Sequence, residues 1–293
     1  MSVGDWFRTF HNNVYMDSST VDTVARRYRT ITRKVNSEYW FSESETNNSL
    51  YVGSYGRATE IYTSDIDIIV SLPWSVKERF DKRIGNIQSQ LLTEIKDKLS
   101  QTYPSSDLSS DGQVIVISFS DGVRYEIVPA FKYSDGRFCY PDTHNDGSWK
   151  MMNPKEEMNS FNLRHRVHNY TMKKFCRMIR SWREANNITI SGELIDSIVY
   201  DFYSNNSYTN KDPFIYFDWL TRDFFKYLSV NTHKKWYTPG TYRTLEIKYP
   251  HITEDKAEEA YNKSLEAIKD EVQYPNLAKK TWREIYGNKF SRR

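Results

Sequence analysis

Residues 64–70 read SDIDIIV, and no other stretch constrains the fold as tightly. Ile66, Ile68, Ile69 and Val70 give the β-branched density of a buried strand. Residues two apart in a strand share a face, so Asp65 and Asp67 project together while Ile66 and Ile68 turn to the other side. Two neighbouring carboxylates at the edge of an apolar core repel each other and are costly to desolvate unless a cation neutralises them. A hard divalent ion bound through carboxylate oxygens meets that requirement. Mg²⁺, which keeps positions for phosphate oxygens, suits it best.

A third carboxylate comes from downstream. Residues 114–119 (VIVISF) and 123–131 (VRYEIVPAF) read as strands joined by the turn SDG, which predicts a hairpin. On its second strand Arg124 and Glu126 share one face, and Tyr125 and Ile127 take the other, so Glu126 is placed to join the aspartates. Three carboxylates on neighbouring strands can hold two metal ions about 3.5–4 Å apart, stabilising both the attacking and the leaving oxygen of an in-line displacement. One ion would lower the pKa of an acceptor hydroxyl, and the other would neutralise charge on departing pyrophosphate. Just upstream, Gly53 permits close backbone approach and Ser54 adds a hydroxyl, so this turn suits the phosphates of an incoming nucleotide.

Around this segment the apolar periodicity outlines the rest of the chain. Val21, Val24, Tyr28, Ile31 and Val35 predict a helix over about residues 20–40, with Ser19 and Asp22 resembling a capping box. Ile84, Ile87, Leu91, Ile95 and Leu99 form a second helical stripe. Residues 133–154 read as loop, and from there helical patterns dominate, over 166–185, 191–203, 217–228 and 254–272. The expectation is a two-lobed α+β enzyme. Residues 1–155 form a sheet-bearing catalytic lobe with a long N-terminal helix, residues 156–293 form a helical lobe, and nucleotides bind in the cleft between them.

Composition sets limits on the alternatives. Aromatics at 15% are too abundant for a disordered chain, and a net charge of +3 announces neither nucleic acid nor a membrane surface. Cys139 and Cys176 lie in no zinc-ribbon spacing and read as free buried thiols of a reducing compartment. The first residues show no signal-peptide pattern, and no run approaches the roughly 18 apolar residues of a membrane span, which points to a cytoplasmic protein. His144, His165 and His168 form no metal spacing with carboxylates.

Taken together, these motifs resemble the polymerase-beta-like nucleotidyltransferase superfamily, and more closely the cGAS/DncV-like nucleotidyltransferases (CD-NTases) of bacterial CBASS anti-phage systems. GSYGRATEIYTSDIDIIV (53–70) is similar to the active-site signature of that family, and VRYEIVPAF to its third-carboxylate strand. NPKEEMNSFN and KKFCRMIRSWREANNITISGELIDSIVYDF resemble its helical lobe, and FDWLTRDFFKYL and WREIYGNKF resemble a bacterial branch.

The resemblance implies that Asp65, Asp67 and Glu126 coordinate two Mg²⁺ ions, with Mn²⁺ as a substitute, and that Gly53 and Ser54 contact the donor nucleotide. It places Arg180 where relatives commonly carry a triphosphate-binding lysine, and Ser191 near a serine that contacts the same group. Arg180 reads equally as a solvated helix face, and Ser191 as the N-cap of the helix it precedes. Arg57, inside the signature, either reaches phosphate or braces the turn. The implied reaction joins NTPs into a cyclic di- or trinucleotide that activates a separate effector. No membrane or nucleic-acid partner is required, and the chain is expected to be a monomer. A template-independent RNA or tRNA nucleotidyltransferase, a small-molecule nucleotidyltransferase and an inactive nucleotide-binding scaffold are the other readings. Intact Asp65, Asp67 and Glu126 speak against the last.

Overall fold

Where periodicity predicts one opening helix, two form: α1 (Val3–Asn13) and α2 (Ser18–Tyr39). Ser2 and Asp5 cap α1 reciprocally, Ser2 Oγ accepting from Asp5 N at 3.2 Å and the Asp5 carboxylate accepting from Ser2 N at 2.9 Å. The cap of α2 is Asp17 rather than the expected Ser19, its carboxylate accepting from Thr20 N at 2.8 Å. The computed structural model describes residues 2–205 and 214–291 and divides the chain into two compact units. One comprises Met16–Arg57 and Thr63–Lys155, and the other Met1–Tyr15, Ala58–Tyr62 and Glu156–Arg293. The first helix and residues 58–62 thus belong with the helical unit rather than with the sheet, because Phe7, Phe10 and Ile61 are part of its core.

In the sheet unit β1 (Ser49–Tyr51), α3 (Gly53–Arg57) and β2 (Ile66–Ser71) precede α4 (Trp74–Asp81) and α5 (Ile87–Ser100). β3 (Asp107–Asp111), β4 (Val114–Ser118), β5 (Arg124–Lys132), β6 (Phe138–Asp142) and β7 (Ser148–Met152) follow. The strands run in the order β1-β2-β5-β4-β3, with the β6–β7 hairpin leaving from the far end of β5. β2 and β5 are parallel and all other pairs antiparallel. Ile66, Ile68, Val70, Tyr125 and Ile127 are buried on one face beneath Val24, Ile31 and Val35 of α2 and Leu91, Ile95 and Leu99 of α5. The opposite face carries Ile69 and Ala130 in a small separate core with Val52 and Phe138.

Residues 138–152, read from sequence as loop, form the β6–β7 hairpin instead. β7 is short and mostly exposed, so its brief alternation, in which Trp149 and Met151 alternate with Ser148 and Lys150, is a weak signal, while Pro141 interrupts β6. The second helical stripe begins at Ile87 and not Ile84, which is 95% exposed; Asn86 caps the helix by accepting from Ser89 N at 2.9 Å.

The helical unit continues from α1 with α6 (Pro154–Val167), α7 (Met172–Ala185), α8 (Gly192–Asn205) and α9 (Phe217–Ser229). A two-residue pair, β8 (Trp236–Tyr237) with β9 (Thr244–Leu245), then leads to α10 (Pro250–Asp270) and α11 (Pro275–Tyr286). Asn169 and Tyr170, both left-handed, separate α6 from α7 where periodicity alone runs them together. Phe7 of α1 packs edge-on against Phe217, Trp282, Tyr286 and Phe290, which explains why α1 folds with these helices.

Candidate active site

The parallel register of β2 and β5 sets Asp67 directly opposite Glu126. Directly paired residues in a sheet hold their side chains on the same face, so both carboxylates project from the face opposite Ile66 and Ile68. Asp65 stands one residue before β2, in alternation with Asp67. Arg124, two residues before Glu126 on β5, joins the group. Its Nη1 donates to Asp65 Oδ2 at 2.8 Å and lies 2.7 Å from Glu126 Oε1. The trio expected from sequence is therefore gathered at one end of the two neighbouring strands β2 and β5, and Arg124 draws Asp65 and Glu126 together.

Gly53 and Ser54 open α3, immediately after β1. Gly53 is left-handed (φ +57°), and a Cβ built on it would lie 1.8 Å from Asp67 Oδ2. The Asp67 carboxylate thus rests against bare backbone, while Val52 N donates to Asp67 O at 2.9 Å and holds the strand to the turn. Ser54 and Arg57 are buried in the same turn. Oxygen-only donors converging on a cationic nitrogen, beside a cradle that a methyl group would fill, fit a hard divalent ion.

A model of the "Second Messenger Oligonucleotide or Dinucleotide Synthetase domain" matches residues 1–164, which carry every one of these groups. The chain belongs to this family. Among curated proteins, a probable cyclic nucleotide synthase of Bacillus cereus (strain VD146) is 23% identical over 223 residues. That match covers 70% of this chain and 64% of the relative, so the chain spans less than two thirds of that relative's length. Among solved structures, the CdnC of E. coli MS115-1, in complex with HORMA-deltaN, superposes with a TM-score of 0.73 at 16% identity, covering 97% of this chain and 96% of its own. The Vibrio cholerae DncV cyclic AMP-GMP synthase, bound to a linear intermediate, gives 0.68 at 14% identity, covering 83% of this chain and 69% of its own. The cGAS/DncV-like fold read from the motifs is the fold observed.

The remaining candidate residues lie in the helical unit. Arg180 on α7 is buried, and its guanidinium forks onto Asp196 of α8, Nε to Oδ1 at 3.0 Å and Nη2 to Oδ2 at 2.6 Å. Nη2 also donates to Gly192 O at 2.8 Å. Its place is thus an internal ion pair and not a solvated helix face. Ser191 caps α8, its Oγ accepting from Leu194 N at 3.2 Å.

The sequence reading missed what surrounds Arg180. Thr59, in the middle of the signature, donates to Asp196 Oδ2 at 2.7 Å, and Arg177 donates to Glu60 O and Oε1, both at 3.0 Å. A partial signal was present, since Arg177 and Arg180 fall three apart on α7 among the apolar Phe175, Cys176, Met178, Ile179 and Trp182. Their partners come from distant segments that no local spacing reveals. Cys139 and Cys176 are both buried, as expected. Among the described residues, no helix is long and apolar enough to cross a membrane.

Proposed function

We propose that the protein is a nucleotidyltransferase that joins NTPs into a cyclic di- or trinucleotide second messenger with release of pyrophosphate. The observation that carries this reading is the pairing of Asp67 with Glu126 across a parallel register, with Asp65 brought in by Arg124. Asp65, Asp67 and Glu126 would hold the metal. When bound, two Mg²⁺ ions, or Mn²⁺ in their place, supply activation of an acceptor hydroxyl and charge neutralisation at the departing pyrophosphate. Gly53 lets the backbone approach phosphate oxygens, and Ser54 offers its hydroxyl beside them. Arg57, buried in the same turn, braces it. Arg180, forked onto Asp196, positions α7, α8 and Thr59.

Family membership and the similarity to a probable cyclic nucleotide synthase and to a cyclic AMP-GMP synthase support a cyclic product. Its role would be to activate a separate effector in anti-phage defence, with NTPs as the substrates of a cytoplasmic monomer. The test incubates the protein with labelled ATP, GTP, CTP and UTP plus Mg²⁺ or Mn²⁺, then treats the products with phosphatase. Phosphatase-resistant small products are expected, and they are expected to vanish in Asp67→Asn and Glu126→Gln. A ladder built on added RNA, or undiminished product in those variants, would overturn the assignment.

A further inference from the structure

Arg124 has no task in the reaction as described, yet its geometry is specific. An arginine paired to a carboxylate commonly offers two parallel N–H groups to one partner, as Arg180 does to Asp196. Arg124 does otherwise: a single nitrogen, Nη1, stands 2.8 Å from Asp65 Oδ2 and 2.7 Å from Glu126 Oε1. One point of positive charge between carboxylates of two separate segments is the arrangement of a coordinated cation. The residues are also too open for a permanent ion pair, with side-chain exposures of 41% for Arg124, 42% for Asp65 and 27% for Glu126. Pairs this exposed are weak and screened by salt.

We propose that Arg124 is a displaceable counter-ion, its Nη1 occupying the place between Asp65 and Glu126 that a divalent ion takes, so that guanidinium and metal exclude each other. The proposal rests on the reading that these carboxylates are metal ligands. It gives Arg124 two effects as a positioning residue. In the ion-free protein it holds the like-charged carboxylates convergent, so that the site does not have to be assembled when the ion arrives. It also competes with a bare ion, lowering the affinity for metal offered without nucleotide. A divalent ion displaces it because it brings twice the charge to oxygens at shorter range.

Mn²⁺ is titrated into the full chain without nucleotide, free ion being followed by its electron paramagnetic resonance signal, and thermal midpoints are measured in EDTA and in saturating Mn²⁺. Arg124→Ala is expected to bind Mn²⁺ roughly tenfold more tightly than the parent, since both a competitor and a repelling charge are removed. Its midpoint is expected to fall below the parent's in EDTA and to recover in Mn²⁺. Arg124→Lys, which keeps a single positive charge, should stay close to the parent in both readouts. Unchanged or weaker Mn²⁺ binding by Arg124→Ala, or a thermal deficit of the same size with and without Mn²⁺, overturns the proposal and leaves the metal-ligand reading standing. Mn²⁺ binding that survives in Asp67→Asn/Glu126→Gln overturns both.

Discussion

Gly53 shows at the scale of one residue how the signature works. Its backbone is left-handed, φ +57°, and the place of its missing Cβ is taken by the Asp67 carboxylate, whose Oδ2 would lie 1.8 Å away. Any side chain therefore meets two separate penalties. The backbone conformation costs a non-glycine residue about 1–3 kcal/mol, and the carboxylate has to move as well. Displacing one ligand of a metal site by about an ångström is enough to lose roughly a hundredfold in rate. Gly53→Ala is accordingly expected to lower stability by about 1–3 kcal/mol in urea unfolding and to lose at least that factor in NTP turnover per folded molecule. Retention of turnover within a factor of a few would show that the Gly53–Asp67 contact does not position the carboxylate.

At the scale of elements, β2, β5 and α2 were legible because each presents a regular apolar repeat to one core, and the two aspartates announce themselves by breaking that repeat. α1 was not read, although Ser2 and Asp5 form a capping box ahead of Trp6, Phe7 and Phe10. Its aromatic partners, Phe217, Trp282, Tyr286 and Phe290, lie more than two hundred residues away, so their pairing has no local trace. The signature itself is divided: residues 53–57 and 63–70 fold with the sheet, while 58–62 are held in the helical unit by Thr59–Asp196, Glu60–Arg177 and Tyr62 N donating to Val14 O at 3.0 Å. Arg180 completes this anchorage by its fork onto Asp196, a residue with no exposure at all.

Removing one member of such a buried pair strands the other charge, at a cost of about 3–5 kcal/mol. Arg180→Met and Asp196→Asn should both show that loss in chemical unfolding, and kcat and KM of the remaining folded molecules should change in parallel. A rise of tenfold or more in the KM for NTP in Arg180→Met, absent from Asp196→Asn, would instead place the guanidinium on the triphosphate.

For the molecule as a whole, the titration of a few buried groups decides how stability responds to pH. Burial, followed by the charges of Arg177 and Lys174, pulls His11 down to about 3. Burial and three neighbouring cations pull His165 to about 3, and its Nδ1 accepts from Lys173 N at 3.3 Å, which requires the neutral ring. A base with a depressed pKa contributes stability that is complete above its unfolded value, near 6.5, and is lost as the pH falls toward 3. Glu271, which follows α10, acts in the opposite sense. Its carboxyl accepts from Trp282 Nε1 of α11 at 3.1 Å, and burial, then the charge of Asp218 on α9, push it up to about 8. An acid with a raised pKa contributes stability that is complete below its unfolded value, 4.5, and is lost as the pH rises through 8. Between 4.5 and 6.5 the two trends oppose each other, whereas above 6.5 the histidines have finished and the buried pair of Glu271 and Asp218, both raised by burial, remains. Stability is therefore expected to fall between pH 6.5 and 8, by an amount on the order of 1–2 kcal/mol. Glu271→Gln keeps an oxygen for Trp282 and cannot ionise, so it should abolish that decline and be the more stable protein at pH 8. Urea midpoints measured across this range test the argument: a decline that persists unchanged in Glu271→Gln would remove Glu271 as its source.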